Sequence, residues 1–205
     1  MTDREIGQRL AMVLEDVCQD LMPGERAAAL AALLGYLQTL TRWNDKMNLV
    51  SSGNRDTICS RHLIPSLLLR PSLVGVRHGS VVDLGSGAGL PGIPLAVTTP
   101  ESRFTLVESR RRRASFLRAV IRELSLDNAA VVNQRIESWR PRTPADVALA
   151  RSVAAPDRVA DLVKHVLAPD GFLLVTLPPG AGSSEDRRAD GRRTRHTIWQ
   201  PFVEA

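Results

Sequence analysis

Two acidic residues at the ends of short apolar runs mark where this chain could do chemistry. Asp83 sits in Val81-Val82-Asp83-Leu84, directly before Gly85-Ser86-Gly87-Ala88-Gly89-Leu90-Pro91-Gly92-Ile93-Pro94, and Glu108 closes Thr105-Leu106-Val107. Glycines after a buried strand let the backbone turn sharply and approach a ligand without Cβ interference. Glu108 lies 23 residues past Gly85, where a carboxylate can accept hydrogen bonds from both hydroxyls of a ribose. The same residue also fits as a charge at a helix amino terminus. A carboxylate at Asp83 opposes a bound pyrophosphate and suits a ligand carrying an ammonium and a sulfonium. The register Gly87-Ala88-Gly89-Leu90-Pro91-Gly92 does satisfy the dinucleotide pattern. The turn starts at Gly85, however, and counted from there the third glycine position is Leu90. No Gly-Lys-Ser/Thr follows, so the phosphate lysine of a P-loop is missing. S-adenosylmethionine (SAM) is therefore expected ahead of NAD or ATP.

The elements that must position these groups alternate from Ser80 onward. The patterning predicts strands at 80–84, 103–107, 129–132, 146–150 and 171–176, and helices at 90–98, 110–124 and 156–167. Such alternation gives an open, mostly parallel α/β sheet with helices on both faces, which binds ligands beyond the carboxyl ends of its strands. Asn133-Gln134-Arg135-Ile136-Glu137 follows the third strand, where an adenine would lie, and Ile136 could pack on the ring. Arg151 follows the fourth strand and is the best-placed single cation for a substrate pocket. Arg110–Arg113, Arg118 and Arg122 crowd one helix, as a track for a phosphate backbone or as a solvated basic face.

Upstream, residues 3–21 and 25–42 read as helices separated by Met22-Pro23-Gly24, with Leu30, Leu33, Leu34, Leu37 and Leu40 at helical spacing. The segment from Trp43 to Val50 is expected to leave the second helix. A third helix at about Asp56–Leu69 carries Arg61-His62 and should kink at Pro65. Downstream, Pro178–Arg195 reads as a mobile loop, and His196–Val203 as a final edge strand broken at Pro201. The expected division is a helical extension over residues 1–72 and a SAM-binding core over 73–205, joined in one compact unit.

Composition narrows the class. In 205 residues, hydrophobic content is 43% and charged content 24%, as in soluble globular proteins. No apolar run approaches a membrane span, the amino terminus lacks the apolar region of a signal peptide, and a cytoplasmic protein without membrane contact is expected. Cys18 and Cys59 lack metal-ligand spacing and read as small buried residues, and the histidines form no metal motif, so no metal is expected. The formal net charge of +5 comes with 25 Arg and 2 Lys, which suits a polyanionic partner or a merely arginine-rich surface.

With these positions assembled, the chain resembles the RsmG (GidB) family of bacterial small-subunit (16S) ribosomal RNA guanine-N7 methyltransferases. The similar stretches are Trp43-Asn44, Asn48-Leu49, Arg61-His62, Val82–Leu95, Leu106–Ser109, Phe116-Leu117 and Arg151-Ser152. The resemblance implies a class I SAM-dependent methyltransferase fold, Rossmann-like, with a final antiparallel hairpin that the short tail leaves incomplete. It implies SAM at Gly85, Gly87, Leu90, Glu108, Ile136 and Glu137, alongside Asp83, with Arg151 near both cofactor and substrate. Arg151, His62 and Asn48 would orient the base, and the partner would be ribosomal RNA or the small ribosomal subunit. The chain departs from the family pattern at Pro65, where an acidic residue is usual, and at Pro178-Pro179-Gly180, where Lys-Gly is usual. Those departures keep two alternatives open: a SAM-dependent methyltransferase acting on another RNA, a protein or a small molecule, and a non-catalytic RNA- or ribosome-binding protein.

Overall fold

The computed structural model describes residues 2–51, 53–75, 79–151, 156–176 and 195–199. At its centre are β1 (Ser80–Leu84), β2 (Arg103–Val107), β3 (Ala129–Val132), β4 (Ala145–Arg151), β5 (Leu167–Thr176) and β6 (Arg195–Trp199). They form one sheet in the order β3-β2-β1-β4-β5-β6, with every pair parallel. The chain moves outward from β1 to β3 and then returns to lay β4 along the other side of β1. Connections thus diverge from the β1/β4 pair and leave a crevice at its carboxyl end.

Strand residues alternate between the two faces. On one side Val81, Phe104, Val147 and Leu149 pack against Leu73 of α5 (Arg70–Val74) and Leu95 of α6 (Gly92–Thr98). Beside them, α1 (Asp3–Val17), α2 (Pro23–Met47) and α7 (Arg111–Glu123) join one core through Leu10, Leu14, Leu33, Leu37, Phe116 and Leu117. On the other side Val82, Leu84, Ala148 and Ala150 lie under Val159 and Val163 of α8 (Pro156–Val163). Cys18 and Cys59 are free and buried, and burial pushes the Cys59 thiol up to about 11.

Several elements differ from the sequence expectation for local physical reasons. The first helix stops at Val17, and Pro23 opens the second helix, where its missing N–H and fixed φ suit the first turn. That second helix continues through Trp43 and Asn44 to Met47 and stops only at Asn48, which takes the left-handed conformation (φ 48°). Trp43 is held by an aromatic contact with Phe116 (centroids 5.5 Å apart), and Asn44 Oδ1 accepts from Val50 N at 2.8 Å. The third helix is α3 (Arg55–Ile58), a π-type turn (Cys59–Leu63) and α4 (Ile64–Leu67). Pro65 has no N–H and its ring crowds the carbonyl four residues back, so the helix takes up an extra residue just before it.

The eighth helix ends at Val163 rather than residue 167, and β5 begins at Leu167. Its register against β4 shifts between Ala145 and Val147, where Pro169 lies in the irregular part. The last strand, expected at His196–Val203, spans Arg195–Trp199 among the described residues and runs parallel to β5. Residues 177–194 exceed the dozen or so that a parallel crossover needs. The expected loop Pro178–Arg195 lies outside the described residues except at Arg195, and Ser152 also lies outside them.

Arg70 ties the helical layer together. It is 1% exposed, donates to Thr98 O (2.8 Å) and Val17 O (2.9 Å), and pairs with both carboxylate oxygens of Asp20 (2.6 and 2.8 Å). Among the described residues no helix is long and apolar enough to cross a membrane, and no group of three His, Cys, Asp or Glu could hold a metal ion.

Candidate active site

The carboxyl end of β1 runs straight into the glycine turn. Gly85, Gly87 and Gly89 have φ of 62°, 53° and 84°, values that side chains with a Cβ rarely adopt. The turn is fixed by Ser86 N to Val107 O (3.1 Å) and Gly89 N to Ser86 O (2.6 Å). It hands the chain to α6 at Gly92, where a Cβ would come within 2.5 Å of both Asp83 Oδ2 and Leu106 Cδ2. Glycine there lets α6 approach the sheet closely enough for Gly92 N to donate to Asp83 Oδ2 at 3.2 Å.

Asp83 is 1% exposed, and its carboxylate accepts from Gly92 N. Burial pushes its carboxyl up to about 7 against the opposing effect of hydrogen bonding, including that from Gly92. Glu108, 4% exposed, ends the neighbouring strand. Its Oε2 accepts from Gly87 N (3.0 Å) and its Oε1 from Arg110 N (2.7 Å), so it joins the glycine turn to the start of α7. Asn133, just past the end of β3, supports it by donating through Nδ2 to Glu108 O (2.8 Å) and Ser109 O (3.1 Å). Each carboxylate oxygen of Glu108 keeps a second lone pair, which is what two ribose hydroxyls require.

Arg151 and His62 meet at the carboxyl end of β4. Arg151 Nη2 donates to His62 Nδ1 at 2.8 Å, and Nη1 donates to His62 O at 3.3 Å. Arginine has no acceptor, so Nδ1 must be the unprotonated ring nitrogen. Burial, then the charges of Arg151 and Arg61, push His62 down to about 4, which keeps the ring neutral. Burial also lowers the Arg151 pKa, while Tyr36 and Asp83 act in the opposite direction.

The remaining expected site residues fall into two groups. Leu90 is buried in the helical core, so only its main chain can face a ligand. Ile136 packs beside Val107 and Val132, and its carbonyl oxygen is 2.9 Å from His165 Nε2. Glu137 is exposed, and Asn48 stands at the exposed end of α2; neither is drawn into the Glu108 or Arg151 group. A cavity of about 410 Å³ lined by Ser80, Val82, Thr105, Trp139 and Arg142 lies at the amino-terminal half of β1, away from these groups.

Sequence reasoning missed Tyr36. It is fully buried, and its hydroxyl donates to Ala88 O within the glycine turn at 2.6 Å. The signal was present: it is the only tyrosine, placed on the buried stripe of Leu33, Leu37 and Leu40, and a buried tyrosine needs a partner for its hydroxyl.

A parallel sheet with this strand order, a left-handed glycine turn after β1 and a buried carboxylate closing β2 define a class I SAM-dependent methyltransferase core. Residues 29–185 match the family model GidB, described as rRNA small subunit methyltransferase G. The chain belongs to that family. A relative named ribosomal RNA small subunit methyltransferase G from Ectopseudomonas mendocina is 41% identical over 150 residues, covering 72% of this chain and 70% of the relative. One of the same name from Xanthomonas oryzae pv. oryzae is 38% identical over 169 residues, covering 80% and 78%. A third, from Nitrosomonas eutropha, is 37% identical over 134 residues, and there the match spans 65% of this chain but 61% of the relative. SAM is the cofactor of the family, and the residues fit it: Glu108 keeps acceptor capacity for a ribose, and Asp83 places a second, buried carboxyl group beside the glycine turn.

Proposed function

We propose that this protein transfers the methyl group of SAM to N7 of a guanine in small-subunit (16S) ribosomal RNA, acting in the cytoplasm on the RNA or the small subunit. The observation that carries this reading is Glu108, which bridges Gly87 N and Arg110 N beside the crevice at the β1/β4 switch point. Glu108 would hold the ribose and Asp83 the ammonium end. Gly85, Gly87 and the main chain of Leu90 would line the turn, and Ile136 and Glu137 would bracket the adenine. SAM supplies an electrophilic methyl on a sulfonium. Guanine N7 carries an available lone pair, so no residue has to remove a proton. The protein's task is then alignment and charge balance. Arg151, held by neutral His62, would orient the base from one side, with Asn48 at the rim. Such a pocket admits a guanine only when it is unstacked.

Deleting the gene is expected to remove 7-methylguanosine from small-subunit rRNA, read by mass spectrometry of nuclease digests, and the purified protein is expected to restore it. An unchanged 7-methylguanosine content would overturn the substrate assignment.

Asp83 gives a pH dependence with a definite sign. A carboxyl with a pKa of about 7 in the free protein, lowered by a bound ammonium, binds best above pH 7 and loses affinity as it is protonated. SAM affinity is expected to fall about tenfold from pH 8 to pH 6 in calorimetric titrations. Asp83→Asn should bind weakly with a flat profile over that range. A flat wild-type profile would show that Asp83 does not face the ammonium.

A further inference from the structure

We infer that the outer face of α7 is a docking track for the phosphate backbone of RNA, leading one strand to the cofactor turn; this deepens the proposed activity and rests on it. The helix buries Ala114, Phe116, Leu117 and Val120. At 3.6 residues per turn, the opposite side carries Arg111, Ser115, Arg118 and Arg122, spaced i, i+4, i+7 and i+11, and all four are exposed. The Ser115 hydroxyl donates back to Arg111 O at 3.0 Å, leaving a small residue between the guanidiniums. From Arg111 to Arg122 the row extends about 16 Å, enough for several consecutive phosphates of one strand.

The charge pattern works against the helix that bears it. Arg110 to Arg113 crowd the amino end, where the helix dipole repels cations, and the first turn contains no acidic residue. Arg118 and Arg122 repel each other one turn apart. The sole acidic residue of α7, Glu123, pairs instead with Arg42 of α2 at 3.3 Å. Among the described residues, none of Arg111, Arg112, Arg118 and Arg122 makes an ion pair. A polyanion laid along the row relieves all of these repulsions together. Position supplies the rest: the row begins just past Glu108, whose Oε1 accepts from Arg110 N, so a strand following it arrives at the methyl-donor site. Arg113 is not part of the row, because its Nη1 lies 3.5 Å from where a Cβ on Gly87 would stand.

The test compares the full-length wild type with triple variants at Arg111, Arg118 and Arg122, using naked small-subunit rRNA as probe over about 50 to 200 mM salt. Replacement by Gln is expected to make the plot of log K against log salt shallower by about 2, at about 0.7 per lost single-strand contact. Replacement by Lys, which keeps the charge, should preserve most of the slope. SAM affinity should not change, and the thermal midpoint of the Gln variant should stay level or rise as the repulsions go. A merely structural role would instead lower the midpoint and leave the slope alone. If the wild type methylates rRNA and the Gln variant binds it with the same slope and affinity, the docking track is wrong and the activity stands. If the wild type binds no RNA, both fall.

Discussion

Replacing Glu108 by Gln is expected to weaken SAM binding by two to three orders of magnitude in calorimetric titration. The carboxylate is fixed by two backbone donors, Gly87 N and Arg110 N, with acceptor capacity left over for a ligand. Charge-assisted hydrogen bonds contribute about 1.5–3 kcal/mol each. Losing the charge opposite two ribose hydroxyls therefore costs about 3–4 kcal/mol, at about 1.4 kcal/mol per factor of ten. An amide also turns an NH2 toward one of the two backbone donors, so the turn itself loosens. The thermal midpoint of the free protein should fall far less than the binding energy does. Affinity within threefold of wild type would remove Glu108 from the cofactor site.

Arg151→Ala is expected to lower kcat toward small-subunit rRNA by about 10² to 10³ while leaving SAM affinity within a few-fold. Loss of one well-placed donor to developing charge has that order of effect, about 2.7–4 kcal/mol. His62 presents Nδ1 and its carbonyl oxygen to Arg151 and is expected to act through it. His62→Ala should cost less, and the double variant should be no slower than Arg151→Ala alone, because the two residues form one unit. Single-turnover rates at saturating SAM measure this. Additive losses would mean that His62 touches the base independently. With its pKa near 4, His62 should contribute no inflection to the pH–rate profile between pH 6 and 8.

The strands of the core were legible because each is a short apolar run closed by a turn signal, and because α7 shows its buried stripe at helical spacing. Asp83 and Glu108 were legible because both sit at strand ends within a local motif. What escaped depends on contacts between distant segments. The extension of α2 through Trp43 rests on Phe116, and the Arg151–His62 pair joins positions 89 residues apart. Nothing local in the sequence shows that Val17 O, Thr98 O and Asp20 converge on Arg70. The parallel direction of β6 is set by pairing with β5, which no strand pattern encodes.

The hydroxyl of Tyr36 on Ala88 O has a consequence for how ligand affinity and stability are shared out. The glycine turn and α2 cannot loosen independently, because opening either one strands a buried donor or acceptor. A cofactor that grips the turn thereby stabilises the amino-terminal helices by mass action. Conversely, any change that frays α2 lowers the fraction of molecules with a formed turn, and with it the apparent affinity, without touching a single ligand contact. The helices ahead of the sheet are in that sense part of the binding equilibrium.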